Sequence, residues 1–214
     1  NHRPLQFPVL IPYRALGVDV VLKRLLPSGE REIPTAFEAV GHIAHLNIRE
    51  HLLPWRRLIG QVILDKNPHL RTVVTKVGTI ATEYRTFEME VIAGEDNLVT
   101  SVHQRDLTFH LDYQAVYWNS RLESEHNRLV SRYVRDGHTL VDMMCGIGPF
   151  ALRVARLPHT RVYANDLNPA SVTWLRENAA KNGLADRMRV FNMCGRDFVR
   201  LLNGHRAAAT KTAA

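Results

Sequence analysis

Two carboxylates and two glycines stand where a nucleoside could be held. Asp142, Gly146 and Gly148 fall within VDMMCGIGPF (Val141–Phe150), and Asp166 closes the apolar run of TRVYANDLNP (Thr160–Pro169). Glycines one residue apart after a short apolar stretch make a bare-backbone turn that a ligand can approach closely. An acid at the end of the following strand is placed to accept both hydroxyls of a ribose. A dinucleotide site would require a third glycine for the pyrophosphate, yet after Gly148 the chain continues Pro-Phe-Ala-Leu. Asp142, just before the turn, would repel phosphates and attract a cation such as a sulfonium bearing an α-amino group. The pattern favours S-adenosylmethionine over NAD, against the bland alternative of an ordinary strand-to-helix turn.

These residues need a parallel sheet to bring them together. HTLVDMM reads as a strand and FALRVARL as a helix; a second strand ends at Asp166, and PASVTWLRENAAKNG has proline near a helix start and glycine at its end. MRVFNMCGRDF supplies a third strand and helix. The unit is βαβαβ, so parallel strands with right-handed crossovers are expected, with ligands beyond the carboxyl ends of the strands. Upstream, AFEAVGHIAHLNI is a mixed apolar segment and REHLLPWRRLIGQVILDKN reads as one amphipathic helix despite Pro54; RTVVTKV, FEMEVIAG and LVTSVHQRDLTFHLDY are β-rich. SRLESEHNRLVSRYVRDG reads as a linking helix with Asn119 or Ser120 as N-cap and Gly137 past its end. The expected organisation is an α+β substrate-positioning domain over 1–115, a linker helix segment over 116–137, and the first half of a Rossmann-like α/β domain over 138–214. No internal repeat is visible.

At 214 residues and 45% hydrophobic content, the chain can build one large core or two small ones. A formal charge of +7 suits attraction to a polyanion and equally suits plain solubility. Two cysteines, Cys145 and Cys194, with no C-x-x-C, argue against a disulfide framework or structural zinc, and for a reducing compartment. No apolar run approaches the roughly 20 residues of a membrane span. No metal and no membrane partner are expected, and the expected state is a monomer. The expected location is the cytoplasm, with a mitochondrial or nuclear pool left open; the chain starts without methionine, so a targeting segment could precede it.

VDMMCGIGPFA, VYANDLNPASVTWLRENAAKN and VFNMCGRDF resemble the first three motifs of a class I methyltransferase. Together with GHIAHLNIREHLLPWRRLIGQVILDKNP, YRTFEMEVIAGE and VYWNSRLESEH, they are similar to the eukaryotic and archaeal tRNA (guanine-N1-)-methyltransferase family acting at position 37, from about Pro34 to Phe198. That resemblance implies S-adenosylmethionine as cofactor and tRNA as partner. N1 of guanine carries a proton, and removing it drives negative charge onto O6, so the reaction needs a base, a donor at O6 and an aligned methyl. The resemblance places the base on Glu125, with a carboxyl expected to be desolvated and raised toward working pH, and the O6 partner on Arg85. The alternative for Glu125 is a helix-start acid or a partner of Arg121 or Arg128, and for Arg85 a solvated strand-edge residue.

Tyr117 and Trp118 either stack on a splayed base or serve as core aromatics; Asn119 and Arg121 would position the base or a phosphate. The resemblance assigns the cofactor to His126, Asp142, Met144, Gly146, Gly148, Asp166, Leu167, Cys194, Gly195 and Asp197. One departure stands out. Related sequences carry an acid for the adenine amino group where this chain has Cys194, so either the backbone of Cys194 and Gly195 or the Asp197 side chain would take over. The family's seven-stranded sheet and Asn-x-Pro-Pro loop are also not matched, so a fragment is expected. The runner-up activity is a wybutosine-pathway transferase that moves the aminocarboxypropyl group of the same cofactor, although VYWNSRLESEH favours the methyltransferase; a non-catalytic tRNA-binding module is the third.

Overall fold

The computed structural model describes residues 9–27, 32–78 and 83–212. The chain divides into two compact units, residues up to 76 with 90–96, and residues 77–89 with 97 onward.

In the first unit, β1 (Glu38–Val40) and β2 (Ile43–Leu46) form an antiparallel hairpin, so the mixed apolar segment of the sequence is a β-hairpin. β2 then pairs in parallel with β3 (Thr72–Val77), and β4 (Glu88–Gly94) completes the order β1-β2-β3-β4. The crossover from β2 to β3 is not the single helix expected over 49–67. It opens with a 3-10 stretch, Glu50–Trp55, and becomes α2 only at Arg56–Lys66. Pro54 lies in the 3-10 part, because it has no N–H to continue an α ladder. Ile59, Val62 and Ile63, at i, i+3 and i+4, turn one face of α2 onto the core, where α1 (Val18–Leu25) adds Val21 and Leu22.

The second unit opens with the hairpin β5 (Val99–Gln104) and β6 (Leu107–Asp112), whose Leu107, Phe109 and Leu111 alternate inward. A 3-10 turn at Ser120–Leu122 leads into α3 (Glu123–Tyr133), followed by β7 (Thr139–Asp142), α4 (Ala151–Ala155), β8 (Arg161–Asp166), α5 (Pro169–Lys181), β9 (Met188–Asn192) and α6 (Gly195–Thr212). The strands β7, β8 and β9 are parallel, as expected, with Asp142 opposite Ala164 and Asp166 opposite Asn192. Asn119 caps the turn before α3 by accepting from Arg121 N–H at 3.0 Å. α3 is shorter than expected: Val134 is already extended, and Gly137, at φ +76°, serves the turn into β7.

The division near 115 drawn from the sequence is moved by two asparagines. Asn178 Oδ1 accepts from His110 N–H at 2.7 Å and its Nδ2 donates to His110 C=O at 3.0 Å; Asn182 makes the same pair of bonds to Thr108 at 3.1 and 2.8 Å. Two amides four apart, Asn178 on α5 and Asn182 at its C-cap, thus satisfy backbone groups two apart on β6, as a neighbouring strand would. The hairpin therefore belongs with the parallel sheet. Among the described residues no helix is long and apolar enough to cross a membrane.

Candidate functional site

The glycine turn follows β7 and is built to come close. Gly146 and Gly148 take φ of +55° and +92°, in the left-handed region glycine favours. A Cβ on Gly148 would lie 2.4 Å from Leu175 Cδ1 of α5, so the turn hugs the helix behind it. Asp166, at the end of β8, organises the turn from below: its Oδ2 accepts from Gly146 N–H at 2.7 Å and its Oδ1 from Asn168 N–H at 2.9 Å. A carboxylate has about four acceptor sites, so each oxygen keeps room for a ribose hydroxyl.

Asp142 is less well served. It is half-buried, and its one hydrogen bond is a long 3.4 Å contact from Met144 N–H. Burial raises its carboxyl to about 6, and the neighbouring charge of Asp166 adds to the rise while the Met144 bond opposes it. Burial and the same two acids push the Cys145 thiol up, which marks it as a packing residue. Two exposed apolar side chains, Met144 and Leu167, flank the acids.

Three asparagines that sequence reasoning passed over hold these loops in place. Asn165, fully buried on β8, donates to Met143 C=O at 3.1 Å and Met193 C=O at 2.9 Å and accepts from Met193 N–H at 3.1 Å, clamping the loops after β7 and β9 together. Asn192 donates to the carbonyls of Asp166 and Leu167. Asn168 caps α5 through Ala170 N–H and reaches Ala115 C=O at 2.8 Å. The signal was present: asparagine is disfavoured in a buried strand unless its amide is fully used.

At the third loop, Cys194 stands at the start of α6, where the N–H groups of Arg196 and Asp197 lower its thiol pKa. Gly195 lies against Met143, with a Cβ there 3.1 Å from Met143 Cε. Asp197 does not reach in to replace the missing acid. Its carboxylate is exposed and takes Arg200 Nη1 at 3.0 Å, one turn along the helix.

α3 carries Glu125 and His126, Tyr117 to Arg121 lie in the segment before it, and the structure departs from what was expected of the Glu125 carboxyl. Glu125 is on the first turn as expected, but it is neither desolvated nor raised. Arg128 grips it through Nε and Nη2, both at 2.7 Å, and this hydrogen-bonded pair lowers the carboxyl pKa. Trp118 is 8% exposed, tilts against Phe109 at 5.7 Å and donates Nε1–H to Ser120, which makes it a core aromatic. Tyr117 is the exposed one. Arg121 is exposed, with its N–H in the Asn119 cap.

His126 is partly buried against Phe150, with ring centres 6.0 Å apart; burial and the charge of Arg153 lower its pKa, so it is neutral near pH 7. Arg85, in the β3–β4 loop, takes φ +59°. Among the described residues no hydrogen bond or ion pair joins it to Glu125, Asp142 or Asp166.

The residues fit S-adenosylmethionine. A half-buried carboxylate short of donors suits a cationic ligand end, Asp166 keeps acceptor sites for a ribose, and Met144 and Leu167 offer apolar faces for an adenine. Such a site at the carboxyl ends of parallel strands, behind a glycine turn, defines a Rossmann-like class I methyltransferase domain preceded by a smaller α+β domain.

Residues 100–210 match the TRM5/TYW2 methyltransferase domain and residues 18–97 the TYW2 N-terminal domain. The chain belongs to the TRM5/TYW2 methyltransferase family. It is 51% identical over 189 residues to a tRNA (guanine(37)-N(1))-methyltransferase of Phytophthora infestans, covering 88% of this chain and 45% of that one. Among solved structures, Trm5b from Pyrococcus abyssi superposes with a TM-score of 0.70 at 31% identity, over 78% of this chain and 49% of that one. TYW2 of P. horikoshii in complex with MeSAdo gives 0.67 at 25% identity, over 84% and 64%. The chain spans about half the length of the curated relatives it matches.

Proposed function

We propose that this protein transfers a methyl group from S-adenosylmethionine to N1 of guanosine at position 37 of tRNA. The observation that carries the reading is the acid-lined glycine turn, Asp142 and Asp166 about Gly146 and Gly148, in a chain 51% identical to a relative named for that reaction. The cofactor, when bound, supplies the electrophilic methyl. This chain's part is to hold it and to prepare the nucleophile. Asp142 faces the positive end, Asp166 takes the ribose and Leu167 lies along the adenine. The backbone of Cys194 and Gly195 stands in for the adenine-binding acid of related sequences.

Glu125, held ionised by Arg128, is in the protonation state a base requires. Arg128 must release it for the proton of guanine N1 to be accepted, and desolvation by the entering base would then raise its basicity. Arg85 is the proposed donor to the charge that develops on O6, Tyr117 the stacking surface, and Asn119 and Arg121 the contacts that position the nucleotide. The protein acts on tRNA in the cytoplasm.

The match of residues 18–97 to the TYW2 N-terminal domain favours a second reading, transfer of the aminocarboxypropyl group. Unmodified tRNA with guanosine beside the anticodon is incubated with cofactor labelled either at the methyl or at the carboxyl carbon. Methyl label recovered as N1-methylguanosine supports the first reading. Carboxyl label in the RNA replaces it with the second, and tRNA binding with neither label leaves a binding module.

A further inference from the structure

Arg153 is a buried cation with which no acid among the described residues forms an ion pair. It is 8% exposed, and its Nε and Nη2 are shut off from solvent without a hydrogen-bond partner among the described residues. A buried guanidinium with idle donors is costly unless an acceptor reaches it. Two acids attract it and neither closes on it: Asp106, in the β5–β6 turn, is held by Arg156 Nε at 2.5 Å, and Glu123, at the start of α3, makes no ion pair with it.

Beside Asp106, Arg105 brings a second positive charge close enough to repel Arg153. Arg105 is exposed, sits at φ +57° in the turn, and has no hydrogen bond or ion pair among the described residues. On α3, His126 also has a buried Nδ1 with no partner, and it feels the charge of Arg153. Nitrogen groups from α3, α4 and the β5–β6 turn thus gather here, with Asp106 already taken by Arg156 and Glu123 making no ion pair with Arg153. A guanidinium fork with idle N–H groups matches the several oxygens of a tetrahedral oxyanion.

We infer that Arg153 and Arg105 form a phosphate-binding site between the β5–β6 turn and the first turns of α3 and α4. One guanidinium is buried and the other faces solvent, which suits a phosphodiester arriving from outside with one face turned inward. S-adenosylmethionine carries no phosphate, so the site serves a different ligand from the acid-lined turn. Assigning that phosphate to the RNA backbone rests on the proposed tRNA substrate; the phosphate chemistry itself does not.

The test uses the whole chain with Arg105→Gln and Arg153→Met, and cofactor titration as the check on folding; Arg105→Gln, on an exposed turn, keeps the test valid if Arg153→Met fails to fold. In the first arm, tRNA affinity is measured against salt. Each variant should flatten the slope of log affinity against log salt by about 0.7–0.9, the share of one lost phosphate contact. In the second arm, inorganic phosphate should raise the thermal midpoint of the wild type above that in chloride of equal ionic strength, and do so less in both variants.

Flattening in the first arm together with loss in the second supports an RNA phosphate. Loss in the second arm alone supports the site with free phosphate as its occupant. If both variants keep the wild-type salt slope and the wild-type response to phosphate, the inference is overturned. A wild type that binds no tRNA but is stabilised by phosphate through Arg105 would overturn the tRNA reading and leave the site standing.

Discussion

Replacing Asp142 by Asn should strengthen the fold and weaken the ligand. The carboxyl of Asp142 is raised from 3.8 to about 6 because it is half-buried with a single weak donor. A carboxyl raised by folding adds stability below its unfolded value and loses that contribution as pH rises through the folded one. At pH 7 the ionised Asp142 therefore costs the empty protein up to about 3 kcal/mol, at 1.36 kcal/mol per pH unit. Asp142→Asn removes that charge and keeps the shape, so its unfolding free energy at pH 7 should exceed that of the wild type by about 1–3 kcal/mol.

A cationic ligand reverses the sign, since it needs the ionised acid. Wild-type affinity for S-adenosylmethionine should be flat above pH 6 and fall about tenfold per pH unit below it, as binding must then expel a proton. In Asp142→Asn the affinity should be at least about tenfold weaker at pH 7 and should lose this acid limb. Urea unfolding and calorimetric titration from pH 5 to 8 read both effects. An Asn variant that is less stable at pH 7 and binds the cofactor with wild-type affinity and pH dependence would refute the reasoning.

Gly148→Ala should lose about 2–4 kcal/mol, because φ +92° strains any side chain and the new Cβ meets Leu175 at 2.4 Å; an unchanged urea midpoint would show that the turn does not need glycine. Asn178→Ala strands the N–H and C=O of His110 and should cost about 1–3 kcal/mol while loosening the β5–β6 hairpin. Hydrogen exchange at the His110 amide checks it, and full protection in the variant would contradict the role given to Asn178.

What was legible in the sequence was what is local. The glycine turn, Asp142, Asp166 and the three parallel strands follow from apolar runs, breakers and turn residues within about fifty positions of one another, and short-range patterns carry that information. The pairing of Asn178 and Asn182 with β6 was not legible, because it joins residues 68 and 74 positions apart and uses amides that read as an ordinary helix end. That is why the first division of the chain fell some twenty residues late.

The break at Pro54 was visible as a residue and missed as a consequence. For Trp118, Tyr117 and Glu125 the sequence left two fates open. Packing against Phe109 decided Trp118, exposure separated Tyr117 from it, and Arg128 at i+3 captured Glu125. Cys194 was seen as a departure; that Asp197 turns to Arg200 instead of filling the gap depends on where α6 begins.

In the proposed reaction Glu125 accepts the guanine proton beside a cofactor held by the acids about the glycine turn. Single-turnover methyl transfer with saturating cofactor and tRNA, wild type against Glu125→Gln, tests it most directly. The rate should be lower by about 10²–10⁴-fold in the variant, with cofactor affinity unchanged. An equal rate of N1-methylguanosine formation by the two proteins would contradict it.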